Sequence, residues 1–414
     1  MSFLDRLNGS GREAVLGKLR EAGLREYGYL NEDLAEKISR AVEGHGPADG
    51  PLPAAGGLNN HDFSHMLLKV IEDEPEKVLN GLQAVAWLAG AERMYLYLPE
   101  KETALAGTVS AKAEELGLDA EVVNGIVNAR LMRDGITCHV ETLKAVAEVL
   151  EGTYRPETLA GVVRYEDSEK ETEVKAPAYV PFGTRLTELT GSLEGIKAVG
   201  VGTALYTPAE AEGVVLEAGA ALGDGVVRLY GEGCCMVRVT EKGLLRSRRE
   251  SCGKCTFCRE GLLQLHVRMH EITGGKGNPA GLDIMKEIGE TMGFSCNCTL
   301  GNLGSSLALE TMRKFGNEYE DHISKKKCTA GSCLAFVNMY IDPKKCTGCG
   351  ECIRACGEEF IEGLPGFIHM IEDLDCTKCG RCMEACPEDA IVRTLGNVPG
   401  LPDRLTRAGR FKRY

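Results

Sequence analysis

The chain has 414 residues, a formal net charge of -13 and 18 cysteines, with 43% hydrophobic and 26% charged residues. These proportions are typical of a soluble globular protein with several domains, and the negative charge argues against a nucleic-acid partner. The N-terminus lacks the apolar core of a secretory signal, and no stretch is long and uncharged enough to span a bilayer. Many cysteines in such a chain indicate reduced thiols in the cytoplasm, because disulfide frameworks are typical of short secreted chains.

The first segment, residues 1–50, is predicted to form amphipathic helices. Apolar residues recur at helical spacing from Val15 to Leu24 and again from Leu34 to Val42. A loop rich in glycine, proline and alanine follows at residues 44–58. Such punctuation predicts a domain boundary there.

The second segment, residues 51–165, alternates helical and extended patterns. The patterns predict a helix around Val78 to Leu88, a strand from Met94 to Leu98 and another helix from Val140 to Leu150. This order predicts an α/β sandwich.

Two further segments precede the C-terminal region. The charged run at residues 166–171 predicts a boundary between the α/β segment and the next domain. That domain, residues 166–240, is predicted to contain short strands. Residues 241–325 predict a helical bundle, because apolar residues recur there at helical intervals. Examples are Leu262, Leu265, Met269, Ile284 and Ile288.

The C-terminal segment, residues 326–414, carries two cysteine runs with the spacing C-x₂-C-x₂-C-x₃-C and ends in a basic tail. This is the pattern of bacterial two-cluster ferredoxins, in which the fourth cysteine of each run binds the other cluster. Zinc knuckles would instead show separated cysteine pairs. The one departure is Gly357, where the pattern has proline. We therefore predict two [4Fe-4S] clusters, one on Cys346, Cys349, Cys352 and Cys386 and the other on Cys356, Cys376, Cys379 and Cys382.

A third array lies upstream, at Cys252, Cys255 and Cys258. Closely spaced cysteines of this kind hold [4Fe-4S] clusters, and a fourth thiolate must come from elsewhere in the chain. The spacing leaves Cys296 and Cys298 open as the fourth ligand.

The string from Glu250 to Gly261 resembles the cluster motif of the NADH-binding flavoprotein subunit of respiratory complex I. That family includes relatives in electron-bifurcating [FeFe] hydrogenases, which carry a similar C-terminal ferredoxin domain, and in NAD-dependent formate dehydrogenases. The stretch that begins at Cys298 is similar to the family's Cys-Ala-Leu-Gly-Asp, which implies that Cys298 is the ligand and Cys296 a spare. Further similarity at Pro75 to Leu98 and at Val180 to Thr184 implies the family's core segment and a β-grasp (SLBB-like) domain at residues 166–240.

The chain departs from this family where flavin would bind. The family's glycine-rich FMN loop is reduced to Gly56-Gly57, and its Cys-Gly-Glu-Glu-Thr segment has no apparent room between Asn128 and Val140. Paired glycines are ordinary turn residues. We therefore expect a truncated flavoprotein-like domain without FMN or an NADH site, although flavin binding through other residues stays open.

Cys328 and Cys333 form a C-x₄-C pair between the bundle and the ferredoxin segment. The spacing suits a structural zinc site, and in the hydrogenase relatives a similar stretch is associated with one. By elimination, His369 and Cys296 are the candidates for the other two ligands. The alternative is a reduced pair that packs as small hydrophobic side chains.

Together these features predict a multidomain α/β protein and an iron-sulfur subunit of a larger cytoplasmic oxidoreductase. It would relay single electrons through three [4Fe-4S] clusters. A structural zinc ion is a further candidate cofactor. Its expected partners are a subunit with a flavin or [2Fe-2S] centre and a terminal catalytic subunit, with soluble ferredoxin as a further candidate. The alternative function is an FMN-containing, NAD(P)H-oxidising subunit of a bifurcating hydrogenase, formate dehydrogenase or transhydrogenase.

Overall fold

The computed structural model describes residues 3–45, 52–127, 135–218, 222–372 and 376–411. The segment from Asn128 to Asp134, where a flavin loop was expected to be missing, therefore lies outside the described residues, as does the end of the basic tail. Within the described ranges no helix is both long enough and apolar enough to cross a membrane.

A four-stranded parallel sheet organises the N-terminal half, in the order β3-β2-β1-β4. Its strands are β1 (Pro53–Gly57), β2 (Arg93–Leu98), β3 (Ala120–Asn124) and β4 (Ile136–His139). Its helices are α4 (Leu68–Asp73), α5 (Pro75–Ala89), α6 (Thr103–Glu115) and α7 (Val140–Glu151). Helices α5 and α7 cross so closely that a Cβ on Gly81 would lie 1.8 Å from the Leu143 carbonyl oxygen. Only glycine fits this crossing.

Three helices precede this sheet: α1 (Phe3–Ser10), α2 (Arg12–Glu21) and α3 (Leu34–Glu43). Their buried residues, such as Leu19 and Ile38, join Leu79 and Leu96 in one hydrophobic core. The N-terminal helices are thus packed on the α/β sandwich, because their apolar faces complete its core.

A five-stranded mixed sheet follows, in the order β6-β5-β9-β7-β8. It comprises β5 (Glu157–Asp167), β6 (Glu171–Pro181), β7 (Ile196–Val201), β8 (Ala204–Tyr206) and β9 (Val226–Gly233), with short helices α8 (Leu186–Thr190) and α9 (Pro208–Ala211). The charged run at residues 166–171, expected to separate domains, instead includes the hairpin turn between β5 and β6. There the Asp167 carboxylate accepts hydrogen bonds from the Glu169 and Lys170 amides, a typical turn arrangement. The SLBB-like assignment stays a prediction.

Six helices form the next unit. They are α10 (Met236–Glu250), α11 (Thr256–Thr273), α12 (Pro279–Ser295), α13 (Thr299–Leu303), α14 (Ser306–Lys314) and α15 (Gly316–Ile323). Leu262, Leu265 and Met269 are buried as their spacing predicts, but Ile284 is 39% exposed and Met285 takes the core position. Ile288, also predicted, is partly buried and packs against this core. The helical period in α12 was therefore correct, and the prediction for Ile284 was wrong by one residue.

The C-terminal unit is small and built around its cysteines. Strands β10 (Asn338–Ile341) and β13 (Ile391–Thr394) pair antiparallel, as do β11 (Ile361–Glu362) and β12 (Met370–Ile371). Each cysteine run contains one short helix, α16 (Glu351–Ala355) or α17 (Arg381–Glu384). Cysteines contribute much of the buried core of this unit.

Candidate iron-sulfur and metal sites

The first cysteine array lies at the end of the helical bundle. Cys255 is the N-terminal cap of α11, Cys258 lies in its first turn, and Cys298 caps α13. Burial raises the pKa of Cys258, and the nearby thiols of Cys298, Cys255 and Cys252 raise it further. The thiols of Cys252, Cys255 and Cys298 therefore lie close enough to Cys258 to act on it, and Cys258 and Cys298 are buried.

A fifth thiol, Cys296, lies in the same place. Burial raises the pKa of Cys296 to about 12, and the thiols of Cys258, Cys255 and Cys298 contribute to that rise. A Cβ on Gly301 would lie 2.9 Å from the Cys296 sulfur and 3.3 Å from the Cys258 Cβ. Gly301 thus allows both cysteines to approach the start of α13.

This array faces the carboxyl ends of the parallel strands. Tyr97 at the end of β2, Asn124 at the end of β3, and Val127 line one cavity together with Cys252 and Lys254. In open α/β sheets, the crevice beyond the carboxyl ends of the strands is the usual place for ligands. Cys252 of the first array therefore lies beside the carboxyl edge of the sheet.

The chain itself fills the crevice where the strand order reverses, between β1 and β4. The Glu26 carboxylate accepts a hydrogen bond from the His139 amide at 2.5 Å, and the Tyr27 amide donates to the Thr142 hydroxyl at 2.9 Å. Next to them Gly28 has a φ of 78°, within the left-handed region. A Cβ there would lie 2.1 Å from Nδ2 of Asn59. The loop between α2 and α3 thus covers the switch point.

The second run of the C-terminal unit shares a cavity with one cysteine of the first run. Cys356, Cys376, Cys379 and Cys382 line it. Burial raises the pKa of Cys382, and the thiols of Cys376, Cys379 and Cys356 raise it further. This grouping matches the crossed ligand set that the spacing predicts.

The companion set contains Cys346, Cys349 and Cys352, together with Cys386. Burial raises the pKa of Cys352 to about 11, and the thiols of Cys346 and Cys349 contribute. Cys386 belongs to the same core cluster as Cys346 and Cys352. All four predicted ligands of this set are cysteine thiols, the ligand type that holds [4Fe-4S] clusters.

A separate group of ligands joins three parts of the chain. The ligand atoms of Cys235, His322, Cys328 and Cys333 all lie within 4.8 Å of one another, and all four residues are buried. The sulfurs of Cys235 and Cys333 are 3.8 Å apart, and Nε2 of His322 lies 3.4 Å from the Cys235 sulfur and 3.3 Å from the Cys333 sulfur. Tetrahedral zinc with Zn–S bonds of about 2.3 Å places two thiolates at about this separation.

The histidine of this group is oriented by the backbone. Nδ1 of His322 lies 2.7 Å from the Glu318 carbonyl oxygen, which leaves Nε2 directed at the thiols. Ligating histidines usually donate their other ring nitrogen in this way. Burial lowers the pKa of His322, but its hydrogen bonds with Cys235 and Cys328 outweigh burial and raise the pKa to about 10. The site thus combines one imidazole with three thiols, which are ligand types that zinc takes in proteins.

The structure corrects the expected zinc ligands. It brings Cys328 and Cys333 together, but their partners are Cys235 and His322. His369 lies instead in the C-terminal unit, with Nδ1 3.9 Å from the Cys346 sulfur, and Cys296 lies in the first array. Elimination along the sequence missed Cys235 and His322 because no local spacing connects residues so far apart.

Two family models match the chain. Residues 239–322 match the NADH-ubiquinone oxidoreductase-F iron-sulfur binding region, and residues 345–392 match the 4Fe-4S dicluster domain. These ranges contain the cysteines of the three predicted arrays.

Curated relatives resemble parts of the chain. The NADP-reducing hydrogenase subunit HndC of Solidesulfovibrio fructosivorans is 43% identical over 142 residues, which are 34% of this chain and 29% of that protein. The F-type subunit of the NADH-quinone oxidoreductase of Streptomyces coelicolor is 35% identical over 124 residues, 30% of this chain and 27% of that protein. Each of these two alignments thus spans less than a third of the relative. A second such F-type protein, from Rhizobium meliloti, is 26% identical over 327 residues, 63% of this chain and 77% of that protein.

A solved NAD+-reducing [NiFe]-hydrogenase in the H2-reduced state shares the fold, with a TM-score of 0.61 over 76% of this chain and 63% of that chain. Its sequence identity is 19%, so the likeness concerns the fold alone. The expected resemblance to complex I flavoprotein subunits is confirmed. The resemblance rests on residues 239–322, which match the NADH-ubiquinone oxidoreductase-F iron-sulfur binding region, and on residues 345–392, which match the 4Fe-4S dicluster domain.

Proposed function

We propose that this chain is an iron-sulfur subunit that relays single electrons between partner redox subunits in the cytoplasm. Three [4Fe-4S] clusters would supply the one-electron chemistry. The observation that carries the proposal is the cavity that combines Cys356 with Cys376, Cys379 and Cys382. Because Cys356 comes from the other run, this arrangement supports the crossed ligation of two-cluster ferredoxins.

The proposed ligand sets are those of the sequence prediction. They are Cys252, Cys255, Cys258 and Cys298; Cys346, Cys349, Cys352 and Cys386; and Cys356, Cys376, Cys379 and Cys382. The first set lies beside the parallel sheet and the other two lie in the C-terminal unit. Such a distribution suits two docking partners, one with a flavin or [2Fe-2S] centre and one with a terminal catalyst. Soluble ferredoxin is a further exchange partner.

The chain would bind no FMN or NADH of its own. The loop at Glu26 and Tyr27 makes hydrogen bonds to His139 at the end of β4 and to Thr142 in α7, and Gly28 packs against the Asn59 side chain. The loop therefore occupies the crevice at the switch point. Ligand binding there would require this loop to move away. The loop is anchored by the Glu26 side chain, which is only 2% exposed, so we expect it to stay in place.

We assign a structural zinc ion to Cys235, His322, Cys328 and Cys333. Four protein ligands leave no position for a substrate, which is typical of structural zinc. The site would fasten the segment that leads into the C-terminal unit to the start of α10 and the end of α15. This link would hold the two cluster-bearing units together.

The alternative is an FMN-containing, NAD(P)H-oxidising subunit of a bifurcating hydrogenase, formate dehydrogenase or transhydrogenase complex. One observation favours it: among the described residues, Nδ2 of Asn59 and Nε2 of His139 are buried without a hydrogen-bond partner. Buried polar atoms normally find partners, so a ligand at the crevice would satisfy both.

Metal and flavin analysis of the full-length protein, purified without oxygen, separates the two functions. The relay predicts about twelve irons with equal sulfide per chain, reducible by dithionite and visible by electron paramagnetic resonance. It also predicts no extractable flavin and no dye reduction with NADH. One FMN per chain, with NADH-dependent dye reduction, would instead establish the alternative. Clusters that dithionite cannot reduce would contradict both.

A further inference from the structure

The two cysteine runs of the C-terminal unit are an internal repeat in which two charges are inverted: Glu351 and Arg354 of the first run correspond to Arg381 and Glu384 of the second. Cys349-Gly350-Glu351-Cys352 in the first run corresponds to Cys379-Gly380-Arg381-Cys382 in the second. Both glycines have left-handed backbones, with φ of 82° and 86°, and each precedes a short helix. Equivalent backbone positions therefore present a carboxylate near one predicted cluster and a guanidinium near the other.

The guanidinium of Arg381 contacts two ligand-bearing segments of the same site. Its Nε donates a hydrogen bond to the Cys379 sulfur at 3.4 Å. It also covers the backbone next to Cys356, because a Cβ on Gly357 would lie 3.3 Å from its Nη1. Gly357 stands where the ferredoxin pattern has proline, so this departure leaves room for the cation. Arg381 thus lies against a single predicted cluster.

Glu351 has a different partner in the first run. Its carboxylate pairs with Arg354, one turn further along α16. This pair is exposed and brings both signs of charge to the same place. Among the described residues, the first set has no guanidinium contact to sulfur; its side-chain contact to sulfur comes from the His369 imidazole, whose Nδ1 lies 3.9 Å from the Cys346 sulfur.

Backbone donors do not distinguish the two sites. The Lys378 amide donates to the Cys376 sulfur at 3.3 Å in one set, and the Ala390 amide donates to the Cys386 sulfur at 3.4 Å in the other. Each set thus receives a backbone hydrogen bond to sulfur. The remaining differences are in charge: Arg381 and Glu384 replace Glu351 and Arg354, and Lys378 replaces Gly348. Of these side chains, Arg381 is the one with a recorded contact to a ligand sulfur among the described residues, whereas the Lys378 ammonium donates to the carbonyl oxygens of Leu334 and Val337.

We propose that Arg381 raises the reduction potential of the cluster on Cys356, Cys376, Cys379 and Cys382 above that of its companion. One-electron reduction adds one negative charge, which a neighbouring cation stabilises, and charge-assisted hydrogen bonds to sulfur act in the same direction. An electron that enters the C-terminal unit would then rest on this cluster. The inference rests on the proposed function, because it requires both clusters to be present.

The test is a potentiometric titration of the full, cluster-loaded protein, followed by electron paramagnetic resonance. Arg381→Gln should lower one midpoint potential and leave the others unchanged. Glu351→Gln should not lower that potential. Arg313→Gln is the matched control. Arg313 is an exposed arginine like Arg381, but it pairs with Glu310 and lies in the helical bundle. A Cys379→Ser variant identifies the signal, because it alters the cluster in question.

Two further measurements exclude a structural effect. Arg381→Lys keeps the charge without the planar donor, so its midpoint should lie between those of the wild type and Arg381→Gln. Because Arg381 is exposed, higher ionic strength should reduce the difference between wild type and Arg381→Gln.

The outcomes separate the two proposals. About twelve irons with unchanged midpoints in Arg381→Gln would overturn this inference and leave the relay intact. Too little iron in the wild type would overturn the relay and this inference with it. If Arg381→Gln fails to load its cluster, the wild type still tests the proposal: a gap between the two midpoints of the C-terminal unit that does not narrow as ionic strength rises would overturn it.

Discussion

The N-terminal half and the cysteine-rich half both bury polar groups, but they satisfy them in different ways. In the N-terminal half, Glu26 bonds to His139 and pairs with Lys37 at 3.2 Å, and Glu141 accepts bonds from Thr158 and Leu159. In the other half, the buried ligand atoms of the Cys235 group contact mainly one another. Buried polar groups need partners. The carboxylates of the first arrangement find theirs within the protein, whereas the second arrangement is the one for which we propose a metal.

The largest expected effect concerns the first array, where five thiols lie around a site that needs four. Cys298→Ala should remove about four of about twelve irons, because it deletes a cluster ligand. Cys296→Ala is the matched control and should keep its iron, because we assign it no bond to the cluster. Iron analysis and electron paramagnetic resonance measure both. Cluster loss in Cys296→Ala with retention in Cys298→Ala would reverse the assignment.

Neighbouring cysteines test the zinc site. Cys235→Ala should lose one bound zinc and destabilise the protein by more than about 3 kcal/mol, because metal loss leaves three buried ligands without a partner. Cys234→Ala is the control: its thiol is buried, but its sulfur contacts the Tyr165 carbonyl at 3.4 Å instead of the metal ligands. Zinc analysis and thermal unfolding should separate the two variants. Equal zinc content in both would contradict the site.

Two glycines test whether the N-terminal loop closes the crevice. Gly28→Ala should cost about 2–3 kcal/mol, because it adds a clash with Asn59 to the strain of a left-handed backbone. Gly23→Ala should cost only about 1–2 kcal/mol, because Gly23 has a φ of 61° but open space around its Cβ position. Urea unfolding followed by the fluorescence of Trp87, the one tryptophan of the chain, reports on this half. Equal costs would mean that the loop is loosely packed.

The smallest expected effect is a pH dependence of the N-terminal half. Burial raises the pKa of Glu141 from 4.5 to about 7, so the folded chain keeps a proton that the unfolded chain releases between these values. This contribution to stability is complete below pH 4.5 and is lost as the pH rises through 7. Glu141→Gln cannot ionise, so at pH 8 it should be more stable than the wild type by about 1–2 kcal/mol.

The control for this effect is Glu115→Gln, which changes a largely exposed carboxylate on α6. Its unfolding free energy should follow the wild-type pH profile. A Glu141→Gln variant that loses stability between pH 5 and 8 as steeply as the wild type would show that another group governs this window.

The sequence by itself determined what depends on short spacing. The C-x₂-C-x₂-C runs predict which cysteines gather, and the structure places Cys356 with the second run as the pattern requires. Helical periods predict α5, α7 and the bundle, because side chains three and four residues apart share a helix face. In α12 the prediction for Ile284 was wrong because Ile284 and Met285 are both apolar, so the pattern alone could not decide which of them faces the core.

Only the tertiary structure decided what depends on distant segments. Cys235, His322 and Cys333 meet because α10, α15 and the following loop pack together, and no spacing rule relates them. The same is true of the loop at Gly28, which fills the crevice beside a strand more than 100 residues further along the chain. A local pattern records the geometry of one turn or helix, whereas such contacts follow from how whole elements fill a shared core.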